Sequence, residues 1–108
     1  MVGIDEAQFF DSRQLLGHID IWRKHFKVIV AGLNLDFRRE PFGAMVDLIN
    51  LADSATKLNA ICHRCKSEYS IFTQRLIDGE PAPLDSPVIQ VGGLEAYEAR
   101  CHECYNKR

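Results

Sequence analysis

A chain of 108 residues, 46 % hydrophobic and 26 % charged, has the composition of one soluble globular domain or part of a larger one. Its formal net charge of −2 leaves no basic excess to attract nucleic acid or an anionic membrane surface. No apolar run approaches the roughly 18 residues that span a bilayer, and no Lys- or Arg-led apolar leader is visible, so a cytoplasmic protein is expected.

The first half reads as α/β. Met1 to Ile4 is a short apolar strand that runs straight into Asp5 and Glu6. An acid at the C-terminal end of a buried strand stands where open α/β sheets bind ligands, although the pair could equally do no more than end the strand. From Ser12 to His25 a helix is expected, because Leu15, Ile19, Trp22 and Phe26 recur at spacings of three and four. Ser12 is its expected N-cap. The β-branched run Val28-Ile29-Val30, followed by Ala31, has the character of a strand buried on both faces of a parallel sheet. Strand, helix and strand within about 30 residues make a βαβ unit. A second helix is expected after Gly43, with Met45, Leu48, Ile49 and Ala52 on one face.

Near Thr56 the character changes to short segments separated by turn-rich stretches. Three of the four prolines lie between Pro81 and Pro87, which predicts an exposed loop over "DGEPAPLDSP". All four cysteines fall into two Cys-x-x-Cys pairs, Cys62 with Cys65 and Cys101 with Cys104. Each pair can aim two thiolates at one centre, and two pairs complete a tetrahedral Zn²⁺ shell. Two disulfides would suit a secreted chain, and a redox Cys-x-x-Cys usually comes once, so structural zinc is the favoured reading. Four thiolates leave no ligand position open for chemistry. His63 and His102, inside the knuckles, are then expected to be exposed or to support the ligands from outside.

Six stretches in order resemble the type II thymidine kinases, the zinc-containing tetrameric class of bacteria, poxviruses and animal cytosol. They are "IDEAQFF", "VIVAGLNLDFRREPFG", "KLNAIC" running into "CHRC", "FTQR", "VGG" and "YEARCHECY", and they cover nearly the whole chain. The resemblance implies transfer of the γ-phosphoryl group of ATP to the 5′-hydroxyl of thymidine or deoxyuridine. It implies a P-loop-NTPase-like parallel sheet over residues 1–55, present in part, and a zinc-ribbon lasso domain over residues 56–108 that closes on the nucleoside. Asp5 and Gln8 would belong to the Mg²⁺–ATP site and Glu6 would be the general base. Phe9, Leu33, Phe37, Thr73, Val88 and Tyr97 would contact the nucleoside, while Phe10 and Phe42 are read as core packing. Cys62, Cys65, Cys101 and Cys104 would hold structural Zn²⁺. The family's homotetramer is the implied assembly, with no nucleic-acid partner and no membrane.

The family pattern also contains a P-loop, Gly-x-x-x-x-Gly-Lys-Ser/Thr, and no Gly-Lys dipeptide occurs among these residues. The chain is accordingly read as corresponding to the C-terminal part of such a kinase, starting at the Walker B strand. Two other readings compete: a non-catalytic zinc-ribbon module that binds a partner, and a nucleoside-binding paralogue without catalysis. The residues before Thr56 have no purpose in a simple ribbon, and a dead paralogue has no need of Glu6. Because phosphoryl transfer relies on positioned phosphates, the 108 residues by themselves are expected not to phosphorylate thymidine with Mg-ATP. Thymidine monophosphate formed above background by the purified chain would contradict this.

Overall fold

The computed structural model describes residues 1–87 and 95–106. Its mixed α/β chain divides into two compact units: Met1–Asn34 with Pro41–Ala55, and Leu35–Glu40 with Thr56–Arg108.

In the first unit, strands β1 (Val2–Ile4) and β2 (Val28–Val30) pair in parallel, with Val2 opposite Val28 and Ile4 opposite Val30. Parallel neighbours need a crossover, and helix α1 (Ser12–Trp22) lies between them in sequence. Alternation along each strand sends Ile4, Val28 and Val30 towards a core of Ala7, Leu15, Ile19, Ala44, Met45 and Leu48. Burying a side chain such as Leu15 contributes about 1.5–3 kcal/mol, so this stripe, rather than local propensity, holds α1 in place.

Gly3 and Ile29 sit opposite one another on the other sheet face, and Ile29 is 48 % exposed, so β2 is not covered on both sides. A two-stranded sheet with one packed face leaves alternate residues outside. The N-cap of α1 is Asp11, whose carboxylate accepts the Gln14 N–H, and Ser12 is already helical. Helix α1 stops at Trp22, where Arg23, Lys24 and His25 follow; basic residues are favourable at the negative end of the helix dipole. Phe26 therefore falls beyond the helix and is exposed. Helix α2 (Met45–Leu51) buries Met45 and Leu48, but Ile49 is exposed and Ala52 lies past its end. Phe42 is buried as expected of core, whereas Phe10 is not.

The second unit is an antiparallel sheet in the order β4 (Glu80–Pro81), β3 (Ser70–Ile77), β5 (Glu95–Cys101), followed by helix α3 (His102–Asn106). Part of the loop expected over "DGEPAPLDSP" is instead a hairpin. Ile77 pairs with Glu80 across Asp78 and Gly79, both at positive φ (52° and 81°), the type I′ combination that matches the strand twist. Ala82 is fully buried, and Pro81 is tolerated because β4 is an edge strand. Residues 35–40 are held to this unit by their own chemistry. The Tyr105 hydroxyl donates to the Phe37 carbonyl at 2.6 Å, and the Arg39 guanidinium lies over the rings of Phe72 and Tyr105 at 5.3 and 4.8 Å.

The capping geometry makes a direct prediction. Asp11→Ala is expected to destabilise the protein by about 1 kcal/mol, while Ser12→Ala stays within about 0.5 kcal/mol of the parent. Urea denaturation of both variants checks which residue caps the helix.

Candidate functional site

The acidic pair leaves β1 in a conformation that the sequence does not announce. Glu6 has φ 54° and ψ 42°, in the left-handed region, and caps a single 3₁₀ turn, Ala7–Phe9. For a residue with a Cβ this costs roughly 1–2 kcal/mol. Such outliers persist only where the surroundings over-determine them. The surroundings are specific: the Glu6 N–H donates to Asp5 Oδ1 at 2.9 Å, and the Ala7 N–H donates to the Ala31 carbonyl at the end of β2. Both carboxylates remain exposed.

Behind them lies Gln8, 2 % exposed. Its Nε2 donates to Glu6 Oε2 at 3.1 Å, and its Oε1 accepts the Leu33 N–H at 3.1 Å. One side chain thus joins the acid pair to the loop after β2, and brings Asp5, Glu6, Gln8 and Leu33 into one cluster. Phe9 stands beside it, half exposed, its ring edge-on to Phe42 at 5.4 Å. Two glycines make room. A Cβ on Gly32 would lie 2.5 Å from Gln8 Oε1, 2.9 Å from Met45 Sδ and 3.2 Å from the Ala7 nitrogen. A Cβ on Gly43, which has φ +56°, would lie 2.5 Å from the Gln8 carbonyl oxygen.

In the second unit Thr73 and Tyr97 share one face of the sheet, because Arg75 pairs with Tyr97 and Thr73 with Ala99. Tyr97 is half exposed. Phe37 is 3 % exposed, with the Arg75 guanidinium over its ring at 5.4 Å and over Tyr97 at 5.9 Å. Arg75 is itself fully buried and donates to the Pro87 carbonyl. Val88 and the "VGG" stretch lie outside the described residues.

The four cysteines converge. Their sulfurs all lie within 4.8 Å of one another, with Cys65 and Cys101 at 3.6 Å, and all four are free thiols. A tetrahedral metal with Zn–S bonds of about 2.3 Å sets its sulfurs about 3.8 Å apart, so the set can hold a metal ion and an all-sulfur shell is compatible with zinc. The first knuckle turns where Lys66, at φ 66°, donates its N–H to the Cys62 carbonyl. The second opens α3, where the Cys104 N–H donates to Cys101 Sγ. Burial pushes the Cys62 thiol up, but hydrogen bonds from the Cys65, Cys101 and Arg64 backbones and the Cys65 side chain outweigh it and bring it to about 5. Burial and then its three thiol neighbours push Cys104 up to about 12. At Cys65 the Ser67 backbone favours the thiolate, yet Cys101, burial and Cys62 raise it overall. Crowded thiols cannot all ionise without a cation among them.

His63, exposed, sets Nε2 3.5 Å from Glu98 Oε2, and Glu98 also receives Arg100 Nε at 2.6 Å. His102, also exposed, rests its ring against Phe72. Reasoning from the sequence missed the double role of the Gln8 amide and the need for Gly32. A glycine just after a buried strand is the available signal, since it marks close backbone approach.

Those contacts predict the effect of filling the gaps. Gly43→Ala is expected to cost about 2 kcal/mol or more, because it combines a left-handed φ with a clash against backbone. Gly32→Ala carries no left-handed φ, so it is expected to cost less, yet still about 1 kcal/mol or more, because it displaces the buried Gln8 amide from the Leu33 N–H. Melting temperatures order the two variants, and faster hydrogen exchange at Leu33 reports the displaced amide.

The profile of the thymidine kinase family matches residues 1–105. The chain is 55 % identical over 102 residues to the thymidine kinase of Coprothermobacter proteolyticus, covering 94 % of this chain and 51 % of that protein. It is 49 % identical over 108 residues to the thymidine kinase of Chloroflexus aurantiacus, covering 97 % and 55 %. To that of Deinococcus deserti it is 50 % identical over 101 residues, covering 94 % and 50 %. The chain therefore spans about half the length of these curated relatives. With a match along nearly all its residues and bacterial relatives at about one residue in two, the chain belongs to the thymidine kinase family.

Proposed function

We propose that the chain carries the nucleoside-side machinery of an ATP-dependent thymidine kinase of nucleotide salvage, acting on the 5′-hydroxyl of thymidine or deoxyuridine. The observation that carries this reading is the Glu6 carboxylate, exposed at the end of a parallel strand and hydrogen-bonded from behind by buried Gln8. A base must be deprotonated, reachable and oriented, and Glu6 meets the last two demands through its backbone and Gln8. In the proposed reaction Glu6 accepts the proton of the 5′-hydroxyl as its oxygen bonds to the γ-phosphorus and the bond to ADP breaks. Asp5 has one oxygen engaged by the Glu6 N–H, which leaves the other for Mg²⁺, a cation that prefers oxygen ligands. Mg²⁺–ATP supplies the phosphoryl group and offsets its charge; the two-stranded parallel sheet is the part of a P-loop-type core that this reading assigns to the chain.

The nucleoside contacts are assigned unit by unit. The first unit offers Phe9 and Leu33, about half exposed. The second offers Tyr97 and Thr73; Phe37, expected at the nucleoside, is buried under Arg75, and Val88 is assigned by resemblance alone. The second unit would be the zinc lasso: the His63 N–H donates to the Ala99 carbonyl, so the first knuckle grips the strand that carries Tyr97. The family's homotetramer and a cytoplasmic location belong to the same reading; four converging free thiols suit a reducing compartment. Among the described residues no helix is long and apolar enough to cross a membrane.

Glu6→Gln, measured in the protein carrying this sequence, is expected to lower kcat by about 10²- to 10⁴-fold, with the KM for ATP little changed. An unaltered kcat would remove Glu6 from the mechanism. Zn²⁺ uptake by the metal-free chain is expected to release fewer than four protons per ion at pH 7, because, despite burial, backbone hydrogen bonds lower the Cys62 thiol to about 5. The sign follows from a depressed folded value: Cys62 adds stability above its ordinary 9.0, and that contribution is lost as pH falls through about 5. An indicator titration in weak buffer counts the protons, and four per ion would contradict the lowering of Cys62.

A further inference from the structure

We propose that Gln8 is a positioning residue, whose amide holds the Glu6 carboxylate and the Leu33 backbone in one fixed relation. The inference rests on the reading of Glu6 as general base. A glutamate side chain free in solvent samples many rotamers, and only a few aim its oxygen at a given hydroxyl. Glu6 is exposed, so packing does not restrict it. What restricts it is the 3.1 Å bond from Gln8 Nε2. The other end of the same amide accepts the Leu33 N–H at 3.1 Å. Leu33 is the first-unit residue assigned to the nucleoside along with Phe9, so base and pocket wall are tied to a single rigid group.

The residue type is dictated by this double task. Glutamine presents a donor and an acceptor at one planar end, whereas ionised glutamate only accepts and methionine offers neither. Asparagine would be one carbon short. At 2 % exposure the amide has no water to fall back on, so both bonds matter. The surroundings are shaped to the same end, since Gly32 leaves room for Oε1 and Gly43 leaves room for the Gln8 carbonyl. In place of the Mg²⁺–ATP contact that the resemblance implies for Gln8, this proposal has the buried amide act through Glu6 and Leu33.

The test is a double-mutant cycle with Gln8→Met and Glu6→Gln, combined with hydrogen exchange. In the protein carrying this sequence, Gln8→Met is expected to lower kcat about 10- to 100-fold. In the Glu6→Gln background the same change is expected to lower it by less than about threefold, because its target is gone. An equal loss in both backgrounds overturns the proposal, since Gln8 would then act independently of Glu6. The Leu33 amide gives a readout that does not need turnover. Its exchange should accelerate by about tenfold or more in Gln8→Met and stay near the parent rate in Gln8→Glu, which keeps the acceptor. Unchanged exchange in Gln8→Met overturns the proposal even if activity is lost. If Glu6→Gln leaves kcat intact, the reading of Glu6 as base fails, and the Leu33 exchange still decides whether Gln8 positions the loop.

Discussion

A primary amide shut away from water must find its partners inside the protein, and the site in the first unit is organised by that requirement at Gln8. An unsatisfied buried donor or acceptor costs about 1–3 kcal/mol. The fold meets the demand with an acid that leaves β1 and a backbone N–H that follows β2. The short parallel pair matters because it delivers both partners to one end of the sheet. Gly32 leaves room for the Gln8 amide oxygen, and Gly43 for the Gln8 backbone carbonyl.

The second unit has a different constraint. Among its described residues Cys62, Cys101 and Cys104 form one buried cluster, beside buried Phe37, Phe72 and Tyr105. Bringing four sulfurs together works against their ionisation, and a metal converts that repulsion into coordination. In the same unit guanidinium groups pack against aromatic rings. Arg39 lies across Phe72 and Tyr105, and Arg75 lies across Phe37 and Tyr97. Guanidinium planes suit this role because they are weakly hydrated and stack on aromatic faces. The outcome is a sheet whose strand β5 is gripped by the first knuckle and ends in the second.

Legibility varied with the range of the interaction involved. The helix over Ser12 to Trp22 was readable because Leu15 and Ile19 recur at helical spacing, and the parallel pairing because Val28 to Val30 follows a helix that follows a strand. The four cysteines declared their convergence through spacing alone, since two Cys-x-x-Cys turns share few other purposes. The hairpin at Asp78-Gly79 was hidden among prolines, although its dipeptide is a strong turn signal. The exposure of Ile29 was unreadable, because a β-branched run looks the same whether one or two faces are covered.

What the sequence by itself determined is therefore periodic or local: the amphipathic helix, the order of the elements, the acids at a strand end and the paired cysteines. These follow from side-chain spacing along one chain. Only the tertiary structure decided that Gln8 turns inward to join Glu6 to Leu33, 25 positions away, and that Tyr105 holds the Phe37 carbonyl, 68 positions away. Unlike the paired cysteines, these single polar groups depend on which buried donor meets which acceptor once the chain is packed, and no motif in the sequence encodes them.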